Sequence, residues 1–423
     1  MYEIRLNRRL FNMKKSYTYT DILCTVILVI LIATSAFPSF LKFKALIPVL
    51  FPFILYRIMK VNKMAYFNKI SILVFFLAAF TAIHLALGHF SLVGGISFLL
   101  TMLTLASFVV LVKEKFVYKY VKIIKFFCCT SLLIWGLLVV FPGFHSLLTG
   151  IGNKLPQLFV KEWLDNTSNP GVSIYLYYIP ANTETAYTSF IRNSGPFYEP
   201  GLFASYIIIA LLLNTIRLNK LFHKDNFILI ACLLSTCSSA GYISFLLLLI
   251  YSISLQRKIY TKLICLLLVI VSIGPIMKLD FMAEKVIANM EKAEYSSSSR
   301  FGAVLYHYEK IIESPLFGYA GGKLPSTAMD KFLDDKTHNT LSPNGISFAF
   351  VYWGIPLAIV FYVLLYKGFM TLLTPRPGFM KRMYIYIVLL STAFSQTVTT
   401  EPIFLIISLF PIICGYERSK KYI

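Results

Sequence analysis

Long apolar runs recur along this chain, each close to the length of a helix that crosses a bilayer. The stretch 91–112 holds no charged residue, and as a helix rising 1.5 Å per residue it would be about 33 Å long. A bilayer's hydrocarbon core is about 30 Å thick, so such a run fits a membrane span. Spans are expected at about 20–37, 42–58, 69–88, 91–112, 120–142, 198–216, 226–239, 241–256, 261–277, 345–366, 383–399 and 402–416, roughly twelve helices. Two pairs are divided only by a short signal, Ser238 to Gly241 in one and Glu401-Pro402 in the other. If either pair were one long helix, every later loop would change side.

Composition agrees with a membrane protein. Of the 423 residues 57% are hydrophobic and only 14% are charged, too few to cover a soluble protein of this size. This excludes a soluble enzyme, a disordered chain and a secreted disulfide scaffold. The formal charge of +21 would suit nucleic acid, but a nucleic-acid binder is not this apolar.

The position of the charge gives the topology, because short cytoplasmic loops are rich in Lys and Arg. The N-terminal tail has Arg5, Arg8, Arg9, Lys14 and Lys15. The second loop has Arg57, Lys60, Lys63 and Lys69, and the fourth has Lys113, Lys115, Lys119, Lys122 and Lys125. Arg217, Lys220 and Lys224 mark the sixth, and Arg257, Lys258 and Lys262 the eighth. Lys367, Arg376, Lys381 and Arg382 mark the tenth, and Arg418, Lys420 and Lys421 the C-terminal tail. Both termini are therefore expected in the cytoplasm. The apolar stretch after the first basic run is expected to be retained as a span, because more spans follow at once.

Two loops on the other side are long, 143–196 and 278–344, within a single polytopic domain covering 1–423. Long loops are usually functional, so chemistry is expected on the outer face. In the second loop Phe301, Val304, Leu305, Tyr308, Ile311 and Ile312 recur at helical spacing up to Ser314-Pro315. His307, Glu309, Lys310 and Glu313 occupy other positions. This is expected to be an amphipathic helix, either lying on the membrane surface or packed on the ends of the spans.

Several chemistries leave no trace. Cys24, Cys128, Cys129, Cys232, Cys237, Cys265 and Cys414 all fall within expected spans and form no C-x-x-C pair. The histidines show no metal-ligand spacing, so no metal and no cofactor are expected. The segment Gly318 to Lys323 fails as a phosphate loop, with Phe317 where its first glycine belongs and Leu324 after the lysine. No Asp-x-Asp motif is present to hold a metal with a nucleotide sugar. Ionisable residues inside spans are scarce, His84 being the clearest, which weighs against an ion-coupled carrier.

Three clusters remain on the outer side. They are Arg192 to Gly201 (RNSGPFYEPG), Ser298-Ser299-Arg300, and Thr337-His338-Asn339. Two arginine forks suit a diphosphate and can stabilise it as a leaving group. A histidine near neutrality can accept a proton from a hydroxyl nucleophile. Each residue also has a plainer use. An interfacial arginine can anchor to headgroups, His338 can be a surface histidine, and Glu199 before Pro200 can complement its helix dipole as Glu401 before Pro402 would.

The segment RNSGPFYEP running into an apolar span resembles the Wzy-type O-antigen and capsular polysaccharide polymerases. So does the order Ser299-Arg300, then SPLFGY at 314–319, then His338-Asn339, then Gly345 through Trp353-Gly354. The related O-antigen ligases share this layout. The polymerases' arginine-to-glycine spacing is matched loosely, Arg192 reaching Gly201 and Arg300 reaching Gly302 or Gly318.

The resemblance implies an all-α, class C glycosyltransferase-like fold in the bacterial inner membrane. It implies a metal-independent enzyme whose donor and acceptor are oligosaccharides on undecaprenyl diphosphate. Arg192 and Arg300 would bind the donor diphosphate. His338 would be the candidate base, Glu199 a second candidate, with Tyr198, Ser299 and Asn339 in support. Membrane lipids and a chain-length regulator protein are the other candidate partners. Ligase-type transfer to a lipid A core or protein is the nearest alternative. A lipid-linked sugar flippase is the alternative of another class, and the long outer loops disfavour it.

Overall fold

A computed structural model describes residues 19–61, 64–155, 171–180, 191–255, 262–263, 300–320, 344–373, 378–394 and 396–414. The protein is a helical membrane protein. Four helical stretches are long and apolar enough to cross a bilayer: Tyr19–Ala36, Leu92–Val140, Pro200–Leu218 and Gly345–Leu372. In chain order the helices are α1 (Tyr19–Ala36), α2 (Phe51–Val61), α3 (Met64–Ala86), α4 (Leu92–Val112), α5 (Phe116–Val140) and α6 (Pro142–Lys154). There follow α7 (Pro200–Leu218), α8 (Lys224–Ser235), α9 (Ser239–Leu255), α10 (Arg300–Glu313), α11 (Gly345–Leu372), α12 (Phe379–Phe394) and α13 (Pro402–Cys414). Helix α7 is buried along nearly its whole length and forms the axis of the bundle.

The expectation of an all-α chain needs one amendment. The first long loop carries helix α6 and a two-stranded antiparallel ribbon, β1 (Gly171–Ser173) with β2 (Tyr178–Pro180), in register Val172 to Ile179.

Basic residues gather at one end of the bundle. Lys115 Nζ lies 2.8 Å from Asp21 at the start of α1, and Lys119 Nζ donates to the Asp21 carbonyl at 2.6 Å. Arg57 donates to Thr20 at 2.6 Å, and Lys125 pairs with Asp225 at 3.2 Å. The Lys115 and Asp225 side chains are solvent-exposed, and pairs that face water contribute little to stability. Their value is positional, since they tie loops distant in sequence to one rim.

Several expected spans have a different form. The stretch 42–58 is not one helix. It runs as 3-10 turns over Pro38–Leu46 and Pro48–Leu50 before α2 begins, because Pro38, Pro48 and Pro52 each remove a backbone donor. Helices α4 and α5 are divided by a turn at Lys113, whose φ is 41°. The pair expected at 226–239 and 241–256 is two helices, broken at Cys237 with φ 45°. Cys237 therefore lies at a break and not within a span. The pair expected at 383–399 and 402–416 is also two helices, α12 ending at Phe394 and α13 starting at Pro402. The span expected at 261–277 and Cys265 lie outside the described residues, apart from 262–263.

The largest departure is in α11. Tyr362 donates a hydrogen bond to the Ile346 carbonyl at 2.8 Å. In a straight helix those residues would be about 24 Å apart. The chain reverses at Gly354 (φ 72°), so 345–353 is a separate arm folded against 355–372. A reversal orphans backbone groups, which the segment SPLFGY supplies. Ile355 N–H donates to the Pro315 carbonyl at 2.7 Å. Tyr319 N–H donates to Val351 O at 2.9 Å, and Ala320 N–H to Tyr352 O at 2.8 Å. Gly318 (φ 64°) and Gly354 meet backbone to backbone at this joint, where a Cβ on either would collide with the other strand.

Candidate functional site

At the end away from the basic rim, residues Arg192–Glu199 enter the bundle as non-helical backbone. Asn193 is 0% and Phe197 0% exposed. Buried irregular backbone must have its polar groups satisfied. Asn193 does much of this. Its N–H donates to Ser235 O at 3.0 Å, its Nδ2 to Ser235 Oγ at 2.8 Å, and its Oδ1 accepts from Gly195 N–H at 2.9 Å. Gly195 (φ 54°) faces the Phe203 ring where a Cβ would collide, and its carbonyl accepts from Tyr178 N–H of the ribbon at 2.7 Å. Phe197 stacks on Phe203 with ring centres 4.7 Å apart. Tyr198 N–H donates to Ala36 O at the end of α1.

The two ends of this segment carry the charged side chains. Arg192 is half-buried, and its Nε donates to Thr236 O at 3.2 Å, at the break between α8 and α9. Glu199 is the N-cap residue of α7, and its Oε1 accepts from Gln396 Nε2 at 3.2 Å. Between them, burial raises the Tyr198 phenol well above its ordinary pKa, and the Glu199 and Glu401 carboxylates add to the push.

Gln396 lies in the turn between α12 and α13, which ties further groups to Glu199. Thr399 Oγ1 donates to Gly345 O at 2.7 Å, and Gly345 packs against the Gln396 carbonyl. The Asn344 side chain caps α11, accepting from Ile346 and Ser347 N–H at 3.1 Å each. Ser347 Oγ lies 2.6 Å from His307 Nδ1 on α10. Burial lowers the His307 pKa to about 4, so the imidazole is neutral near pH 7. Glu401 closes the turn. Its Oε1 takes Lys44 at 2.8 Å, and its Oε2 is buried with no hydrogen-bond partner among the described residues.

Three helix N-termini thus meet at the 396–401 turn, those of α7, α11 and α13. Their positive ends favour an anion at the turn, where Glu199 and Glu401 supply proton-accepting oxygens, while Arg192 stands apart at the break between α8 and α9. Among the described residues, no group of three His, Cys, Asp or Glu side chains is placed to hold a metal ion.

Of the residues singled out in the sequence, Arg192, Tyr198 and Glu199 lie along this one segment. Arg300 is the first residue of α10, which docks on α11 through His307. Ser299, His338 and Asn339 lie outside the described residues. Sequence reasoning missed Gln396, His307 and Asn344 and discounted Glu401. Gln396 was visible only as an amide in an apolar run, while Glu401 repeated the Glu-Pro of Glu199-Pro200. Comparison with family models, curated proteins and solved structures finds no match to this chain.

Proposed function

We propose that this chain is a polysaccharide repeat-unit polymerase of the bacterial inner membrane, with about twelve spans, a class C glycosyltransferase fold and both termini in the cytoplasm. It transfers the growing glycan from undecaprenyl diphosphate to a sugar hydroxyl of a lipid-linked repeat unit on the outer face. The observation that carries this reading is the Arg192–Glu199 segment, which enters the bundle as non-helical backbone and sets an arginine at the α8–α9 break and a carboxylate at the N-terminus of α7, at the end opposite the basic rim.

In the reaction the anomeric carbon loses its bond to the diphosphate oxygen and gains one to the acceptor oxygen. Arg192 and Arg300 bind the departing diphosphate, as fixed donors aimed at developing charge do. The acceptor proton passes to His338 or Glu199. No nucleotide sugar and no metal enter the step.

The test is the surface-glycan ladder after deletion of the gene. A polymerase deletion leaves acceptors bearing one repeat unit, or none. Long polymer still on undecaprenyl diphosphate in the deletion strain would overturn the reading in favour of a ligase. Repeat units trapped on the inner face would overturn it in favour of a flippase.

A further inference from the structure

Helix α10 sorts its side chains into three stripes. At 100° per residue, Ala303, His307 and Lys310 fall on one side, and all three are buried, at 0%, 1% and 0% exposure. Val304, Leu305, Tyr308 and Ile312 fall on a second side, about 140° around the axis. They are 38%, 49%, 62% and 59% exposed. Glu309 and Glu313 fall on the third and are exposed too.

A helix docked on a globular protein turns its apolar stripe inward. Here the polar stripe is inward. His307 meets Ser347, and Lys310 Nζ lies over the Tyr306 ring and 3.5 Å from Glu313. In water the outward ridge would leave this apolar surface hydrated and forgo the stabilisation that burying it brings. The ridge also has a neighbour. Leu316 and Phe317 follow it, exposed, and the Phe317 backbone reaches His84 at the end of α3. Tyr319 lies 5.3 Å, ring to ring, from His89 in the α3–α4 turn. Around that turn Ile83, Leu87, Leu92 and Val93 are exposed. The ridge therefore runs into the apolar flank of the bundle, whose long apolar helices need a bilayer.

We propose that α10 lies in the lipid–water interface, with its ridge among the bilayer's acyl chains, its acidic stripe in water and its basic stripe on the protein. An interfacial helix sinks roughly 5–10 Å into the headgroup–acyl boundary, and a tyrosine such as Tyr308 suits that depth. The helix is then a wedge with lipid on one side and the first turn of α11 on the other. This inference does not depend on the glycosyltransferase reading.

The test uses the full chain in vesicles of phosphatidylcholine, with or without bromine on the acyl chains. Tyr308→Trp, Ile312→Trp and Glu309→Trp are each compared with the parent, whose Trp135, Trp163 and Trp353 supply the background. The added emission at 308 and 312 should be largely lost in brominated vesicles and should resist aqueous acrylamide. The emission at 309 should show the reverse. Ridge tryptophans quenched by acrylamide and not by bromine would overturn the proposal, since water would cover the ridge. Shielding from both quenchers would overturn it as well, since protein would cover it.

Discussion

Gly318 and Gly354 show how much depends on single positions. Each has a left-handed φ, and each stands where a Cβ would strike the opposing backbone. At φ 72° and ψ 167° Gly354 occupies backbone space reached essentially by glycine alone, so Gly354→Ala costs about 1–3 kcal/mol before any collision is counted. The thermal midpoint in detergent should fall for Gly318→Ala and Gly354→Ala, and hold or rise for Gly143→Ala, which faces open space. The motifs SPLFGY and Trp353-Gly354 were both visible in the sequence. That they form one joint was not, because hydrogen bonds between distant backbones leave no residue pattern. Glu401 is the second residue to test. Glu401→Gln keeps an acceptor for Lys44 but removes the carboxylate beside Tyr198. If that carboxylate serves the site, polymer yield drops while the amount and thermal midpoint of the protein hold. A lowered midpoint with normal polymer would make it purely structural.

Among the elements, spans and their breaks differ in legibility. The irregular stretch before α2 reads as part of a span at 42–58, although the prolines at 38, 48 and 52 carry the signal that breaks it. The reversal at Gly354 sits in an apolar run, and a hydropathy window averages across it. The amphipathic spacing of α10 was plain, but not which stripe faces the protein, because that depends on Ser347 waiting for His307. This docking should depend on pH. An unfolded histidine titrates near 6.5, whereas His307 does so at about 4 when docked, so docking favours the neutral ring. Its contribution is whole above about pH 6.5 and is lost as pH falls toward 4. Hydrogen exchange in α10, corrected for intrinsic rates, should speed up between pH 7 and 5. His307→Asn should flatten that response, while Lys310, Glu313 and Tyr319 remain in place as neighbouring titratable groups.

For the whole molecule, part of the basic excess is gathered at one end. Asp21, Thr20 and Asp225 gather Lys115, Lys119, Arg57 and Lys125 at one rim, and the Arg192–Glu199 segment opens at the other end. The apolar runs already carried the helical membrane character. The site did not emerge from spacing, because Glu199 meets Gln396, and Arg192 meets Thr236, only where helices break. Activity that needs no metal should survive chelation by EDTA in washed membranes, with the same ladder of products. The most direct measurement compares polymer made by parent and Arg192→Ala protein, at equal amounts, in membranes supplied with the lipid-linked repeat unit. The parent should build a ladder, and Arg192→Ala should leave single units. A normal ladder from Arg192→Ala would contradict the diphosphate site at the centre of this account.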